Sequence, residues 1–239
     1  MKRLLIIASC IFSILVIAHP LVESRIRIAI IDTGMKSDFE DLSKYMCKFG
    51  HYNFVNDNFD TYDHHGHGTN VAWLITRNLD PKKYCLLIYR YYSNSGKGFD
   101  NLTNEIKAFK AAIAHGASYI NLSGGGVDPA PAEEAVIKDA LSRNIRIIVA
   151  AGNDSHTICA PQKYYPACYK TTSTNLYAVG NCKDGVYVES SNRGPDVKQC
   201  ENGMYQGPER LKMSGTSQST AIFTNKLIIR EGEKKCTTK

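Results

Sequence analysis

The sequence contains no run of lysines or arginines, no C-x-x-C pair, no internal repeat and no low-complexity linker. Its formal net charge of +6 falls to +4 once Lys2 and Arg3 of the N-terminal segment are set aside, leaving 27 basic residues against 23 acidic ones. So weak an excess argues against a nucleic-acid-binding protein, and the missing C-x-x-C pair argues against a zinc site. Without repeats or linkers, the economical interpretation is one domain, which we place at residues 25–239.

Charged residues are also few, at 22% of a 239-residue chain that is 43% hydrophobic, which excludes disorder and predicts a well-buried core. Residues 26–31 form a short, almost wholly apolar run, typical of a parallel strand covered on both faces. Similar patterns predict strands at 84–91, 117–122, 145–151, 176–179 and 186–188, and helices at 101–115, 131–144 and 216–230. This alternation predicts an α/β fold of three layers, a mostly parallel twisted sheet with helices on both faces. Residues 36–63 are polar and predict a surface excursion.

The first residues have the pattern of an export signal. Lys2 and Arg3 precede an apolar run at residues 4–18, which ends in a small-residue cleavage site. We predict a signal peptide over residues 1–18, with a boundary no later than about residue 24. The protein would then be secreted or periplasmic, and free of the membrane after the signal is removed. An uncleaved anchor and lipidation at Cys10 are the alternatives.

Seven cysteines remain beyond this signal, and outside the cytosol they tend to oxidise. They are Cys47, Cys85, Cys159, Cys168, Cys182, Cys200 and Cys236. We predict two local loop closures, Cys159 with Cys168 and Cys182 with Cys200, although other pairings stay open. An odd number leaves one cysteine that is free, pairs with another chain or is lost.

Three polar residues lie where the pattern favours a catalytic site. Asp32 follows the apolar run at 26–31, at the edge of a parallel sheet where ligands bind. His67 stands at a predicted helix start within Asp63-His64-His65-Gly66-His67, and Ser217 follows a Ser-Gly-Thr turn that leads into the last helix. The histidines could also bind a metal, but they sit in a glycine-broken loop without helical spacing, so we assign no metal ligands.

Four blocks carry a family resemblance: Ile-Asp-Thr-Gly at 31–34, His-Gly-Thr at 67–69, Ala-Ala-Gly-Asn at 150–153 and Ser-Gly-Thr-Ser at 214–217. Together, in this order, they resemble the signature segments of the subtilisin-like serine proteases, the subtilase family, over residues 25–229. The resemblance implies a subtilisin-like fold and a secreted serine endopeptidase that forms an acyl-enzyme intermediate. Asp32, His67 and Ser217 would be the triad, with the Asn153 amide and the Ser217 backbone N–H as the oxyanion hole.

The resemblance also implies two edge segments that hold the substrate as an added strand. They would be formed by Gly96, Lys97 and Gly98 on one side and by Ser123, Gly124 and Gly125 on the other. The partners would be polypeptide substrates of a monomeric enzyme. No cofactor is implied, although calcium sites occur in the family and no ligands for one can be assigned here.

Several positions depart from the family pattern. Asn70 replaces a common histidine, Trp73 replaces a glycine, and Gln218 begins a segment that replaces Met-Ala-x-Pro. No inhibitory pro-region fits between the signal and Arg25, so we expect folding without one or with help from elsewhere. The alternative function is therefore a catalytically impaired pseudoenzyme, an exported module that binds peptides or proteins. The presence of all three triad residues and Asn153 favours the enzyme.

Overall fold

A computed structural model of the chain describes residues 23–93 and 98–237, and only the backbone of residues 98, 99 and 235–237. The predicted signal at 1–18, Cys10, Gly96 and Lys97 lie outside the described residues. The strands are β1 (Ile26–Asp32), β2 (Tyr52–Asn53), β3 (Tyr84–Arg90), β4 (Tyr119–Leu122), β5 (Arg146–Ala150), β6 (Leu176–Lys183), β7 (Val186–Tyr187) and β8 (Gln199–Glu201). The α-helices are α1 (His67–Thr76), α2 (Gly98–Ala114), α3 (Pro131–Ser142) and α4 (Thr216–Thr237).

The strands form a mostly parallel sheet in the order β2-β3-β1-β4-β5-β6-β7, with β8 beside β6. Only the β6–β7 pair is antiparallel among the described strand pairs. The chain builds one side of the sheet from β1 to β3 and then crosses β1 to build the other side from β4 onward. Open sheets of this kind bind ligands beyond the carboxyl ends of the strands, near such a change of direction.

Alternate residues of β1 pack into two separate cores, which explains why residues 28–31 are all apolar. Ala29 and Ile31 face one core together with residues of α2 and α3. Ile28 and Ile30 face the other, together with residues of α1 and α4. A strand covered by helices on both faces has no solvent side, and therefore shows no alternation of polar residues. This arrangement is the three-layer α/β fold that the sequence predicts.

Three helices differ from their predicted bounds, and α3 ends at Ser142, two residues before the predicted end at residue 144. Helix α2 begins at Gly98, three residues before the prediction, so Gly98 belongs to a helix and not to an extended edge segment. Helix α4 continues to Thr237, beyond the predicted end at Arg230. Among the described residues, no helix is both long enough and apolar enough to cross a bilayer.

Residues 36–63 lie mostly at the surface, as predicted, but they contain more regular structure than their polar composition indicates. They contain a 3-10 helix at Phe39–Tyr45 and strand β2, which pairs with β3. Asn53 is fully buried, and its amide donates to the carbonyl of Asp60 at 2.7 Å. Polar residues here satisfy each other inside the fold, so their composition resembles that of an exposed loop.

Three disulfides are present. Cys159 pairs with Cys168 and Cys182 with Cys200, which confirms both predicted closures. The third joins Cys47 to Cys85, across 38 residues. Since Cys85 lies in β3 and Cys47 follows the 3-10 helix, this bond ties residues 36–63 to the sheet. Cys236 is the odd residue of the seven, and its side chain lies outside the described part.

Candidate active site

The residues singled out from the sequence gather at the carboxyl edge of the sheet. Asp32 is the last residue of β1, Ser123 follows β4 and Asn153 lies three residues beyond β5. Helix α1 begins at His67, and Ser217 is the second residue of α4. Parallel pairing brings these strand ends and helix starts to one rim, although the residues are far apart in sequence.

Asp32 and His67 form a direct hydrogen bond. The Nδ1 atom of His67 lies 2.7 Å from Oδ1 of Asp32, and the same oxygen accepts the backbone N–H of Thr33 at 2.7 Å. Burial of the imidazole lowers the pKa of His67, but the neighbouring Asp32 carboxylate more than reverses this, and the net pKa is raised. The carboxylate therefore orients the ring and favours its protonated form.

The close approach of α1 to β1 requires glycine at position 68. A Cβ there would lie 2.2 Å from the carbonyl oxygen of Gly34 and 3.2 Å from the Cβ of Asp32. No side chain fits at that separation, so a larger residue would push His67 away from Asp32. This contact gives a physical reason for the His-Gly-Thr and Asp-Thr-Gly blocks to occur together.

Asp63 holds the turn that leads to His67, a role that sequence reasoning missed. Its side chain is fully buried. Its Oδ1 accepts from the Thr33 hydroxyl and from the N–H groups of His65 and Gly66, at 2.8–2.9 Å. Its Oδ2 accepts the N–H of Thr69 at 2.9 Å and its hydroxyl at 2.6 Å. Burial raises the pKa of Asp63, but these donors outweigh it and hold the pKa below its usual value. The one signal in the sequence was an aspartate three residues before Gly66, which precedes the helix start at His67.

Ser217 is turned toward β4 in this structure. Its Oγ donates to the backbone carbonyl of Ser123 at 3.2 Å, and the Ser123 hydroxyl donates to the carbonyl of Ser217 at 3.4 Å. No hydrogen bond joins Ser217 to His67 within the described part of the chain. The structure therefore brings Asp32 to His67 and Ser217 to Ser123, two pairs at one rim.

Asn153 is exposed and lies beside the start of α4. Its Oδ1 accepts the N–H of Thr216 at 2.9 Å, and its Nδ2 makes no hydrogen bond to another described residue. The Ser217 N–H belongs to the first turn of α4, where backbone donors have no helical partner. Two donors thus lie near the Ser217 hydroxyl, in the positive field of a helix N-terminus.

A cavity of about 300 Å³ opens beside Asp32, His67 and Ser123. It is lined by Asp32, Thr33, His65, His67, Tyr91, Tyr92, Ser123, Gly124, Gly125 and Tyr164. Ser123, Gly124 and Gly125 line the cavity, while the segment that contains Gly96 and Lys97 is not described. One face of the cavity is bare backbone, which suits an extended peptide.

The departures from the family pattern meet inside the fold. The Gln218 Nε2 donates to Asn70 Oδ1 at 3.0 Å, and Asn70 Nδ2 donates to the carbonyls of Gln206 and Leu211. This buried amide pair joins the helix that starts at His67 to the helix that carries Ser217. Trp73 is half-buried against the core with the Arg77 guanidinium 5.1 Å from its ring, and it is absent from the residues that line the cavity.

Metal-ligand atoms come together at one place among residues 23–93 and 98–237. Glu23, Cys47 and Cys85 lie within 4.8 Å of one another. Both sulfurs belong to a disulfide, which removes the thiolates that a metal would need.

Comparisons with known proteins agree with this geometry. The model of the subtilase family matches residues 23–229. Thermitase from Thermoactinomyces vulgaris is 31% identical over 211 residues, which cover 82% of this chain and 71% of thermitase. The major intracellular serine protease of Bacillus subtilis (strain 168) is 27% identical over 225 residues, which cover 86% of this chain and 68% of that protein.

Solved structures show the same fold. A cold adapted subtilisin-like serine proteinase superposes with a TM-score of 0.70 at 24% identity, covering 89% of this chain and 78% of the other. The epidermin leader peptide processing serine protease from Staphylococcus aureus gives a TM-score of 0.69 at 20% identity, covering 84% and 64%. Since the family match spans most of the sequence, the chain belongs to the subtilase family of serine peptidases.

Proposed function

We propose that this protein is a secreted serine endopeptidase in which Asp32, His67 and Ser217 act as the catalytic triad. The observation that carries the proposal is the 2.7 Å bond between His67 Nδ1 and Asp32 Oδ1, at the rim where Ser217 lies in the first turn of α4. A serine hydroxyl is too weak an acid to attack a peptide carbonyl alone, so a neutral imidazole must accept its proton. With Nδ1 bonded to Asp32, the Nε2 atom of His67 is left as that acceptor.

The Ser217 hydroxyl must change partner for this reaction. It donates to the Ser123 carbonyl here, and rotation about one side-chain bond moves it to another staggered position. Hydrogen bonds of catalytic groups are commonly misaligned before substrate binds. A peptide that enters beside Ser123, Gly124 and Gly125 would compete for that carbonyl and favour the rotated hydroxyl.

The tetrahedral intermediate needs donors already in position. Asn153 Nδ2 and the Ser217 backbone N–H are suited to this, because the Asn153 amide is held through its oxygen by Thr216. His67 would then donate its proton to the leaving amine, and water would hydrolyse the acyl-enzyme by the same route.

Export is part of the proposal. Three disulfides support an oxidising compartment, and the signal-like pattern at residues 1–18 supports secretion. Relatives include intracellular serine proteases, one of them from Paenibacillus polymyxa. Detection of the mature protein outside the cytosol, with its N-terminus beyond residue 18, would test this part.

Labelling with a fluorophosphonate tests the nucleophile. We expect the wild type to be labelled on Ser217 and the Ser217→Ala variant to remain unlabelled. Ser219→Ala is a matched control, because Ser219 lies on the same helix and its hydroxyl bonds to Glu201 and Gly215, away from the cavity. If folded wild type and Ser217→Ala are labelled equally poorly, the proposal that this protein is a serine endopeptidase is wrong.

One observation favours the alternative, a pseudoenzyme that binds peptides without cutting them. The Ser217 hydroxyl pairs with Ser123 and not with His67. In that case peptides would bind to the folded wild type and stay intact, and the labelling experiment separates the two functions.

The pH dependence of hydrolysis tests His67 as the base. Asp32 raises the pKa of His67, so the neutral ring should be lost as pH falls through a value above the ordinary one of about 6.5. We expect kcat/KM to fall about tenfold per pH unit below that midpoint. A flat profile from pH 5 to 8 would exclude His67 as the base.

A further inference from the structure

A second cavity adjoins the one at His67, and two buried acidic side chains are among the residues that line it. Its volume is about 560 Å³. It shares Tyr91, Tyr92 and Gly125 with the cavity at His67, so one extended peptide could occupy both. Its acidic residues are Glu105 from α2, Glu133 from the first turn of α3, and the exposed Asp128. None of the described residues that line it is basic.

Glu105 is the unusual member. Its side chain is buried, at 4% exposure, and its Oε1 has no hydrogen-bond partner among the described residues. Its carboxyl contacts that of Glu133, whose Oε2 accepts the Tyr169 hydroxyl at 2.6 Å. A buried carboxyl oxygen without a partner is costly unless a ligand supplies one.

The ionisation of Glu105 depends on the groups that surround it and Glu133. Burial, and then the adjacent Glu133, raise the pKa of Glu105 well above its usual range, so ionisation of Glu105 is unfavourable until a cation is bound beside it. The other titratable groups that face the two carboxyls are the tyrosines 91, 92, 164, 165 and 169 and Asp128. None of these groups is a cation, so the described lining offers the carboxyls no positive partner.

The walls suit a long side chain that ends in a cation. Tyr91, Tyr92 and Tyr165 offer aromatic surface beside the carboxyls. Lysine and arginine bury their methylene stems along apolar surface, and their charged heads interact favourably with aromatic faces and carboxylates.

We propose that Glu105 and Glu133 select a lysine or arginine side chain of the substrate, two or three residues from the bond that is cut. The separation between the selected side chain and the cut bond follows from the edge segment. Ser123 is hydrogen-bonded to Ser217. Gly125 and Gly126, which line the second cavity, lie two and three residues beyond Ser123 in the sequence. At about 3.3 Å per residue, an extended peptide beside this segment covers the same span. The proposal rests on the proposed function, since it names the substrate class of the same cleft.

Peptide binding to the inactive Ser217→Ala protein tests this preference directly. The probes are acetylated and amidated peptides with lysine, norleucine or glutamate placed at each position in turn. We expect lysine at one position to bind about tenfold more tightly than norleucine, the smallest factor that measured couplings between close charge pairs at an interface supply. Adding Glu105→Gln should reduce the ratio to about twofold or less.

Glu134→Gln is the matched control for that variant. Glu134 neighbours Glu133 on α3 but pairs with Lys138 at the surface and does not line the cavity. We expect it to keep the preference for lysine. Lack of a lysine preference at every position, no binding at millimolar peptide, or a preference that survives Glu105→Gln would overturn the proposal.

Proton release provides a readout that needs no change at Glu105. A bound cation favours the doubly ionised pair, so binding should release a proton and should tighten as pH rises. Calorimetry in two buffers of different ionisation enthalpy measures the number of protons released per bound peptide. A value of zero contradicts the proposal. Both measurements use the inactive variant, so they can fail while Ser217 labelling succeeds, or succeed while it fails.

Discussion

Helices α1 and α4 each carry a proposed catalytic residue at or next to their first position, but the two starts are held in different ways. The start of α1 is fixed by the buried, charged Asp63, which accepts five hydrogen bonds around His67. The start of α4 is held by neutral contacts, one from Thr216 to Asn153 and a pair between Ser217 and Ser123 at 3.2–3.4 Å. Charge-assisted bonds are the stronger class.

The difference indicates which group moves during the reaction. The imidazole is oriented in advance, because Asp32 holds its Nδ1 and Asp63 holds the turn beneath it. The serine hydroxyl has only a neutral bond to give up, which costs about 1 kcal/mol. We therefore expect the histidine side to stay in place and Ser217 to turn toward it when a peptide binds.

Breaking the histidine side should have the largest effect. Asp32→Asn removes the charge that orients His67 and favours its protonated form, and it allows the wrong tautomer. We expect kcat to fall about 10⁴-fold, the size of loss that serine proteases with this triad show. Peptide hydrolysis by purified, folded variant measures this, and a loss of less than tenfold would show that Asp32 does not act through the ring.

Changes on the serine side should have the next largest effect on activity. Asn153→Ala removes a proposed oxyanion donor, and we expect kcat to fall about 10²- to 10³-fold, a value established for subtilisin. The same change also removes the bond to Thr216. Asn153→Asp separates the two roles, because it keeps the acceptor for Thr216 but replaces the donor with an anion. An Asp variant with near wild-type activity would reduce Asn153 to a helix cap.

Asp63→Asn tests how firmly the turn at His67 is held. An amide nitrogen would face donors that now meet a carboxylate oxygen, and we expect the protein to lose about 2–3 kcal/mol of unfolding free energy. Because the pKa of Asp63 is lowered by folding, its contribution is present above the unfolded pKa and is lost as pH falls through the folded value.

Chemical denaturation between pH 2 and 7 measures both effects of this change. The variant should show a weaker loss of stability in acid than the wild type does. Asp41→Asn is the control, since that side chain is 87% exposed. If the two variants behave alike, Asp63 does not hold the turn through its charge.

The smallest effect concerns the link between the two helices. Gln218→Met and Asn70→Ala each break the buried amide pair, so their effects on unfolding free energy should not add. We expect a coupling of about 1 kcal/mol in a double-mutant cycle. Strictly additive effects would mean that the two positions changed independently.

The sequence allowed the main features of the site to be predicted, because each has a local signal. The apolar run before Asp32 predicted β1, and the Gly-Thr steps placed His67 and Ser217 at helix starts. The partners of Asp63 were missed, since a turn aspartate looks the same whether exposed or buried. The Glu105–Glu133 and Asn70–Gln218 pairs were also missed, because polar contacts across 28 and 148 residues leave no periodic pattern. The 3-10 helix and strand β2 within residues 36–63 were missed because their polar composition resembles that of an exposed loop.

The most direct test of the account is a crystal structure of the protein inactivated by an organophosphonate. The phosphorus should be bonded to Ser217 Oγ, with an oxygen within hydrogen-bonding distance of Asn153 Nδ2 and the Ser217 N–H. His67 should keep its bond to Asp32, with Nε2 now directed at the Ser217 side. A displaced imidazole, or a phosphonate bound elsewhere while Ser217 still donates to Ser123, would contradict the claim that the serine turns toward a fixed histidine.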